Sequence, residues 1–256
     1  EFYTRDSKLR FFSHWVLQDI INLMKFSYDT SNMDIYEKVY YKVKGYISKK
    51  YINYASTLNY SSSVFDRIME YPGLSEYYKK TLRQLKLDFK KLSKLKPYNQ
   101  ILYIEKDLEY GNYLKENSMK FGYTYDTLLN ILFYLKSIAK YTNDLSEFIG
   151  RLKQLQYLSV NSRNNKDTIT FSTIHSAKGL EFDNVYMIDL VEGDFPSISS
   201  LEALDKNDFE PLEEERRLFY VGMTRAKKHL TLITTKQIGD QTFEPSRFLH
   251  ELQQQI

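Results

Sequence analysis

Thr173-Ile174-His175-Ser176-Ala177-Lys178-Gly179-Leu180-Glu181-Phe182 follows directly on an alternating β-favouring run, Thr168-Ile169-Thr170-Phe171-Ser172. Small residues and a glycine at the carboxyl end of a strand let backbone approach a ligand closely, and open α/β sheets bind ligands at that edge. A tight strand-to-helix turn with no ligand fits the same residues. Two further apolar runs lie downstream, at 185–190 (bounded by Asn184 and Glu192) and at 229–235, with a helix predicted between them over about 212–225. Strands separated by helices predict a parallel sheet with crossover connections.

The predicted helix contains Glu213-Glu214-Glu215-Arg216-Arg217-Leu218-Phe219-Tyr220-Val221-Gly222-Met223-Thr224-Arg225-Ala226-Lys227-Lys228. An acidic first turn and a basic end are what the helix dipole favours, and that accounts for most of the charges. It does not account for Gly222, since glycine inside a helix costs about 1 kcal/mol relative to alanine. A glycine there predicts that a neighbour, or a bound group, comes close. Arg225, just beyond it, is then a candidate phosphate contact.

Upstream the pattern is helical. Leu9, Phe12, Trp15, Val16, Ile20, Leu23 and Met24 recur at helical spacing over 9–25, and helical periodicity continues almost unbroken from 34 to 150. A charged helix over 78–96 carries Leu82, Leu85, Phe89, Leu92 and Leu95 on one side and stops at Pro97; another over 127–141 carries Leu128, Ile131, Leu132 and Leu135. Tyr71-Pro72-Gly73 and Tyr110-Gly111-Asn112 are turn signals. The division expected is an α/β block from residues 1–39 and 166–256, with a helical insertion over 40–165. Within the insertion, Lys42-Val43-Lys44-Gly45-Tyr46-Ile47 and Lys49-Lys50-Tyr51 interleave basic and aromatic residues, as phosphate contacts and base stacking require. A tyrosine-rich core under a lysine surface would read the same way.

The bulk numbers narrow the function classes. A hydrophobic fraction of 42% and a charged fraction of 27% belong to a globular chain, and no apolar run approaches the ~20 residues of a membrane span. No cysteine is present, which excludes disulfides, zinc ribbons, iron–sulfur clusters and thiol nucleophiles and fits a cytoplasmic location. His14, His175, His229 and His250 are too scattered to indicate a metal site. The net charge of +3 hides an asymmetry: residues 1–160 hold 25 Lys+Arg against 17 Asp+Glu, and residues 161–256 hold 11 against 16. A basic half suggests a polyanionic partner, although solvated lysine-rich helices are ordinary. Glu1-Phe2-Tyr3 shows neither an initiator methionine nor a signal pattern, so the chain is expected to be a fragment entered in mid-domain.

Residues 173–182 and 213–226 together resemble motifs V and VI of the UvrD/Rep/PcrA branch of superfamily 1 DNA helicases. The intervening Glu192-Gly193-Asp194-Phe195-Pro196 is similar to that family's acidic-Gly-x-Phe-Pro turn, and Ser246-Arg247-Phe248-Leu249 to its usual ending. The strict resemblance covers about 85 residues, 168–252, and 11–23 more loosely resembles the segment after motif IV. The fold it implies is a RecA-like P-loop NTPase-type parallel-sheet lobe, the second of two, carrying an all-α insertion and lacking the phosphate loop.

The resemblance also implies roles. ATP would bind between two RecA-like lobes, with Glu181 hydrogen-bonding the ribose, Gly179 leaving room for it, and Gly222 and Arg225 at the nucleotide. Arg225 would act as an arginine finger on the γ-phosphate. Thr173 and His175 would face single-stranded DNA, while Arg217 and Tyr220 would brace the motif VI helix. No Gly-x-x-x-x-Gly-Lys-Ser/Thr sequence or motif IV arginine is present, nor an acidic pair for Mg²⁺. ATP and Mg²⁺ are therefore expected to be held mainly by a missing N-terminal lobe, and this chain alone is expected not to hydrolyse ATP. The expected partners are that lobe, single-stranded DNA and duplex junctions, with no membrane. The Pro-x-x-Gly-x-Gly-type hairpin that often contacts duplex in this family is not found in the insertion. The alternatives are a non-catalytic DNA- or protein-binding module on a RecA-like shell, or part of a helicase–nuclease.

Overall fold

The computed structural model describes residues 2–5, 10–58, 62–162, 168–238 and 241–254. They fall into two compact units, one of Lys8–Asn161 and one of Glu1–Ser7 with Ser162–Ile256.

The first unit is helical: α1 (Trp15–Tyr28), α2 (Met33–Val39), α3 (Lys49–Thr57), α4 (Val64–Met69), α5 (Glu76–Leu92), α6 (Pro97–Lys106), α7 (Tyr110–Asn117), α8 (Tyr125–Ala139) and α9 (Leu145–Val160). The starts follow local chemistry. His14, Asn32, Ser63, Thr124 and Asp144 each accept a first-turn N–H through the side chain. The helix expected over 9–25 therefore starts late, at Trp15, because His14 is extended and caps it; Arg10–Ser13 forms a separate 3₁₀ turn. Pro97 both follows α5 and opens α6, since a first-turn residue needs no N–H. The turn expected at Tyr110-Gly111-Asn112 lies one residue earlier: Glu109 takes the left-handed conformation (φ 61°) and α7 begins at Tyr110.

Val16, Ile20, Leu23 and Met24 of α1 are buried with Phe26, Tyr36, Phe65 and Phe89, whose rings meet at 4.7–5.7 Å. This division differs from the expected one. Residues 10–39 share the core of the helical unit, because the apolar faces of α1 and α2 close onto its other helices. The basic–aromatic segment is partly internal, although Tyr46, Lys49 and Lys50 are exposed. Val43, Ile47 and Tyr51 are buried; Lys42 Nζ lies 2.6 Å from buried Asp19, and Lys44 Nζ lies 2.9 Å from buried Asp88. Tyr110 and Tyr103 donate to the same two carboxylates at 2.9 and 2.8 Å. Lys42 and Lys44 thus neutralise interior acids and do not present their charge to a phosphate.

The second unit is mixed α/β. Parallel strands β1 (Phe2–Thr4) and β2 (Ile169–Phe171) pair, and so do parallel strands β3 (Phe182–Met187) and β4 (Ala226–Leu232). Between β3 and β4 run α10 (Ile198–Asp205) and α11 (Glu210–Met223), so the expected parallel pairing across a helical crossover is present. A hairpin, β5 (Gln237–Ile238) and β6 (Gln241–Thr242), precedes α12 (Arg247–Gln253). Among the described residues each sheet has two strands. The strand expected at 185–190 sits three residues earlier, since Asp189 turns out of the β region (φ 57°). Met187 and Leu232 are register partners facing a small core with Leu190, Leu212, Phe219 and Phe248.

Candidate functional site

Residues 172–181 connect β2 to β3 through a series of tight turns, not through a helix. Ala177 N–H donates to Thr173 O at 3.0 Å, Leu180 N–H to Ala177 O at 3.0 Å, and Ser176 N–H to Thr173 Oγ1 at 3.2 Å. Ala177 is buried and anchors the segment, while Thr173, His175, Gly179 and Glu181 are all exposed. Gly179 has φ +81°, which L side chains rarely adopt, and a Cβ added there would meet nothing within 4 Å. The glycine is required by the backbone, and the space above it is open.

Arg225 lies just past the end of α11. Its Nε donates to Val221 O at 2.9 Å, Nη1 to Leu180 O at 3.0 Å and Nη2 to Thr224 Oγ1 at 2.9 Å. Its own carbonyl accepts from Phe182 N–H at 2.8 Å, so the segments 173–182 and 213–226 are stitched together at Arg225. All three acceptors of the guanidinium are uncharged. Its neighbours are treated differently: Arg216 pairs with Glu213 and Glu251, Arg217 with Glu214, and Arg247 with Glu192. Arg225 is held in a fixed orientation, half-buried, and no carboxylate among the described residues forms an ion pair with it. Glu181 adjoins the Leu180 carbonyl that Arg225 grips; its carboxylate is exposed, with Lys227 Nζ 3.8 Å away. A cation fixed by neutral dipoles can receive an anionic group.

Gly222 has a packing explanation. It is buried, and a Cβ there would lie 2.7 Å from Met187 Cε and 3.4 Å from Ile174 Cδ1. The close neighbour is the core of the same unit, so the glycine is accounted for without a bound group. Arg217 and Tyr220, expected to brace the helix, are exposed. Bracing falls to Arg216, whose Nε and Nη2 reach Glu251 of α12 at 2.8 and 2.9 Å while its guanidinium lies 5.5 Å from the Phe248 ring centroid. Hydrogen bonding to Glu251 and Glu213 raises the Arg216 pKa further, and Arg216 lowers that of Glu251. No local pattern announces a partner 35 residues away. Glu215 was legible in principle, because it shares the inward helical face with Leu212, Phe219 and Gly222. It accepts from Ser197 N–H at 2.8 Å and from Ser197 and Ser200 Oγ at 2.6 Å each, tying α11 to the start of α10.

The profile of the UvrD-like helicase C-terminal domain family matches residues 3–237, nearly the whole chain. The chain belongs to that family. YjcD of Bacillus subtilis (strain 168) is 28% identical to it over 98% of this chain and 33% of its own length. DNA helicase II of Rickettsia typhi is 31% identical over 97% of this chain and 39% of its own length. ATP-dependent DNA helicase Rep of Buchnera aphidicola is 39% identical over 57% of this chain and 20% of its own length. This UvrD-like chain therefore spans about a third to two fifths of the relatives that match it end to end. Among the described residues no helix is long and apolar enough to cross a membrane, and no group of three or more His, Asp or Glu could hold a metal ion.

Proposed function

We propose that the α/β unit of this UvrD-like chain is the second RecA-like lobe, and its helical unit the insertion, of an ATP-dependent DNA helicase. In this reading ATP is closed between it and a lobe carrying the phosphate loop. Arg225 contacts the γ-phosphate and stabilises the charge that develops during phosphoryl transfer, and Glu181 receives the ribose hydroxyls beside the open backbone at Gly179. Thr173 and His175, exposed on the same turn, face the single strand. Among the described residues no group of three or more acidic or histidine side chains could hold a metal ion, so in this reading Mg²⁺ is held by the other lobe and no step here runs through it. The observation that carries the reading is the guanidinium of Arg225, fixed by Val221 O, Leu180 O and Thr224 Oγ1 with no carboxylate among the described residues to neutralise it. A structural arginine would gain by pairing, as Arg216 and Arg247 do; a finger must keep its charge for the transition state.

The test is Arg225→Ala in the intact protein. DNA-stimulated ATP turnover should fall by about 10³- to 10⁵-fold, the range for loss of an arginine finger. Nucleotide affinity should change little, and the thermal melt should confirm folding. Unchanged turnover in a folded variant would assign the chain to a non-catalytic module instead.

A further inference from the structure

Arg225 is held at three points, and one of them is a side chain. Val221 O and Leu180 O are backbone acceptors for Nε and Nη1, and the hydroxyl of Thr224 accepts from Nη2 at 2.9 Å. That hydroxyl makes a second bond. Thr224 Oγ1 donates to Val221 O at 2.9 Å, the same carbonyl that accepts from Arg225 Nε. Thr224 is the C-cap residue of α11 and is exposed. Arginine, threonine and carbonyl thus close a small ring of hydrogen bonds at the end of the helix.

A threonine in a helix commonly turns its hydroxyl back onto a carbonyl of the preceding turn, and the bond to Val221 O is of that ordinary kind. It does not explain the bond from Arg225. A hydroxyl carries a single proton. Because that proton is given to Val221 O, the lone pairs of the oxygen are free to accept, and Nη2 meets them. A planar guanidinium held at Nε and Nη1 alone can still tilt about the line through those two nitrogens. The third contact removes that freedom. β-Branching keeps χ1 of Thr224 stiff, so the hydroxyl stays in place. Three of the five N–H donors of the guanidinium are then used, which leaves one on each terminal nitrogen for an incoming oxyanion. We infer that Thr224 is a positioning residue for Arg225: its hydroxyl sets the plane in which the guanidinium meets the γ-phosphate. The inference rests on the proposed reading of Arg225 as the group that stabilises phosphoryl transfer, and adds the side chain that aims it. Thr224 itself needs no contact with the nucleotide.

The test measures ATP turnover of the intact protein, stimulated by a single-stranded thymidine oligonucleotide, in Thr224→Val, Thr224→Ser and Arg225→Ala. Valine keeps the branched shape and removes the hydroxyl. Its kcat should fall by about 10- to 10²-fold, since a misplacement on the order of 1 Å costs about 10²-fold. KM for ATP should stay near that of the unmodified protein, because the nucleotide is still bound and only the transition state loses its partner. Serine keeps the hydroxyl and should recover most of the lost kcat. Both threonine variants should melt with the unmodified protein, as expected at an exposed position. Added to Arg225→Ala, Thr224→Val should cost nothing further, because the group it orients is already gone. An unchanged kcat in Thr224→Val, a raised KM at constant kcat, equal losses with valine and serine, or a further loss on the Arg225→Ala background would each overturn the role of Thr224. A collapse of turnover in Arg225→Ala without one in Thr224→Val sinks this inference alone. Intact turnover in Arg225→Ala sinks the motor reading, and the positioning role with it.

Discussion

The helical unit buries acids with their partners, whereas the α/β unit pairs its arginines nearer the surface and leaves one, Arg225, without a carboxylate among the described residues. In the helical unit, Asp19 and Asp88 are buried, and each is met by a lysine and a tyrosine hydroxyl, closing the electrostatics inside. In the α/β unit, Arg225 is held by three neutral oxygens and its charge is left open. The cores differ in the same sense. One runs through Phe26, Phe65, Phe89 and the apolar faces of most of the helices, and the other rests on Met187, Leu190, Leu212, Phe219 and Phe248. Parallel strands are ordinarily covered on both faces, yet Tyr186, Ile188 and Ile233 on the outer side of the β3–β4 pair are exposed. The contrast teaches that within one family domain the same residue types serve either a closed interior pairing or, under the proposed function, a charge kept for a ligand.

The sharpest way to break this comparison is to truncate one aromatic in each unit. Phe89, fully buried and in ring contact with Phe26 and Phe65, should cost about 3–5 kcal/mol as Phe89→Ala. Tyr186→Ala, on the exposed outer side of β3, should stay within about 0.5 kcal/mol. Urea melts followed by the single tryptophan, Trp15 of α1, report on the helical unit, and hydrogen exchange reports on both. Equal costs at the two positions would show that the outer face of β3 is a core after all.

What the sequence revealed divides along the same line. Periodicity placed the helices expected over 78–96, 127–141 and 212–225 within a few residues, because the burial that forms an amphipathic helix is written at three- and four-residue spacing, as at Leu82, Leu85, Phe89 and Leu92. It failed where a single cap decides the boundary, at His14, and where a left-handed residue moves a turn, at Glu109. It left Lys42 and Lys44 ambiguous, since their partners Asp19 and Asp88 lie 23 and 44 residues away and no local pattern encodes the meeting. At the site, the glycine and small residues of 173–182 were legible as a close-approach turn. Gly222 was legible only as a need for space; that the space belongs to Met187 is a tertiary fact.

A second prediction sharpens the contrast through the buried acids. Asp19→Ala would leave Lys42, nearly buried, and the hydroxyl of Tyr110 without their acceptor, and should cost about 2–3 kcal/mol. Asp19→Asn keeps an acceptor for Tyr110 and removes a charge whose burial is itself unfavourable, so its cost should be smaller by about 1 kcal/mol. Chemical denaturation of the two variants beside the unmodified chain measures both. If Asn proved costlier than Ala, the pairing with Lys42 could not be the main use of that carboxylate.

The smallest effect separates the units by the sign of their response to acid. Burial raises the pKa of Asp19 above its ordinary value, against the opposing pull of Lys42 and Tyr110. Its contribution is therefore fully present below the unfolded pKa and is lost as pH rises through the folded one, so acidification favours the folded helical unit at this group. The pKa of Glu251 is lowered by its hydrogen bonds from Arg216. Its contribution is present above about pH 4.5, the ordinary glutamate value, and disappears as pH falls from there through the folded value. Both side chains of that pair are more than a third exposed, so solvent screening holds the effect below about 1 kcal/mol. Hydrogen exchange between pH 3 and pH 6, corrected for intrinsic rates, should show α11 and α12 losing protection at the acid end, and Glu251→Gln should flatten that loss without altering α1. Parallel acid responses in the two units, unaffected by Glu251→Gln, would mean that Arg216 braces the α/β unit by packing on Phe248 and not by charge.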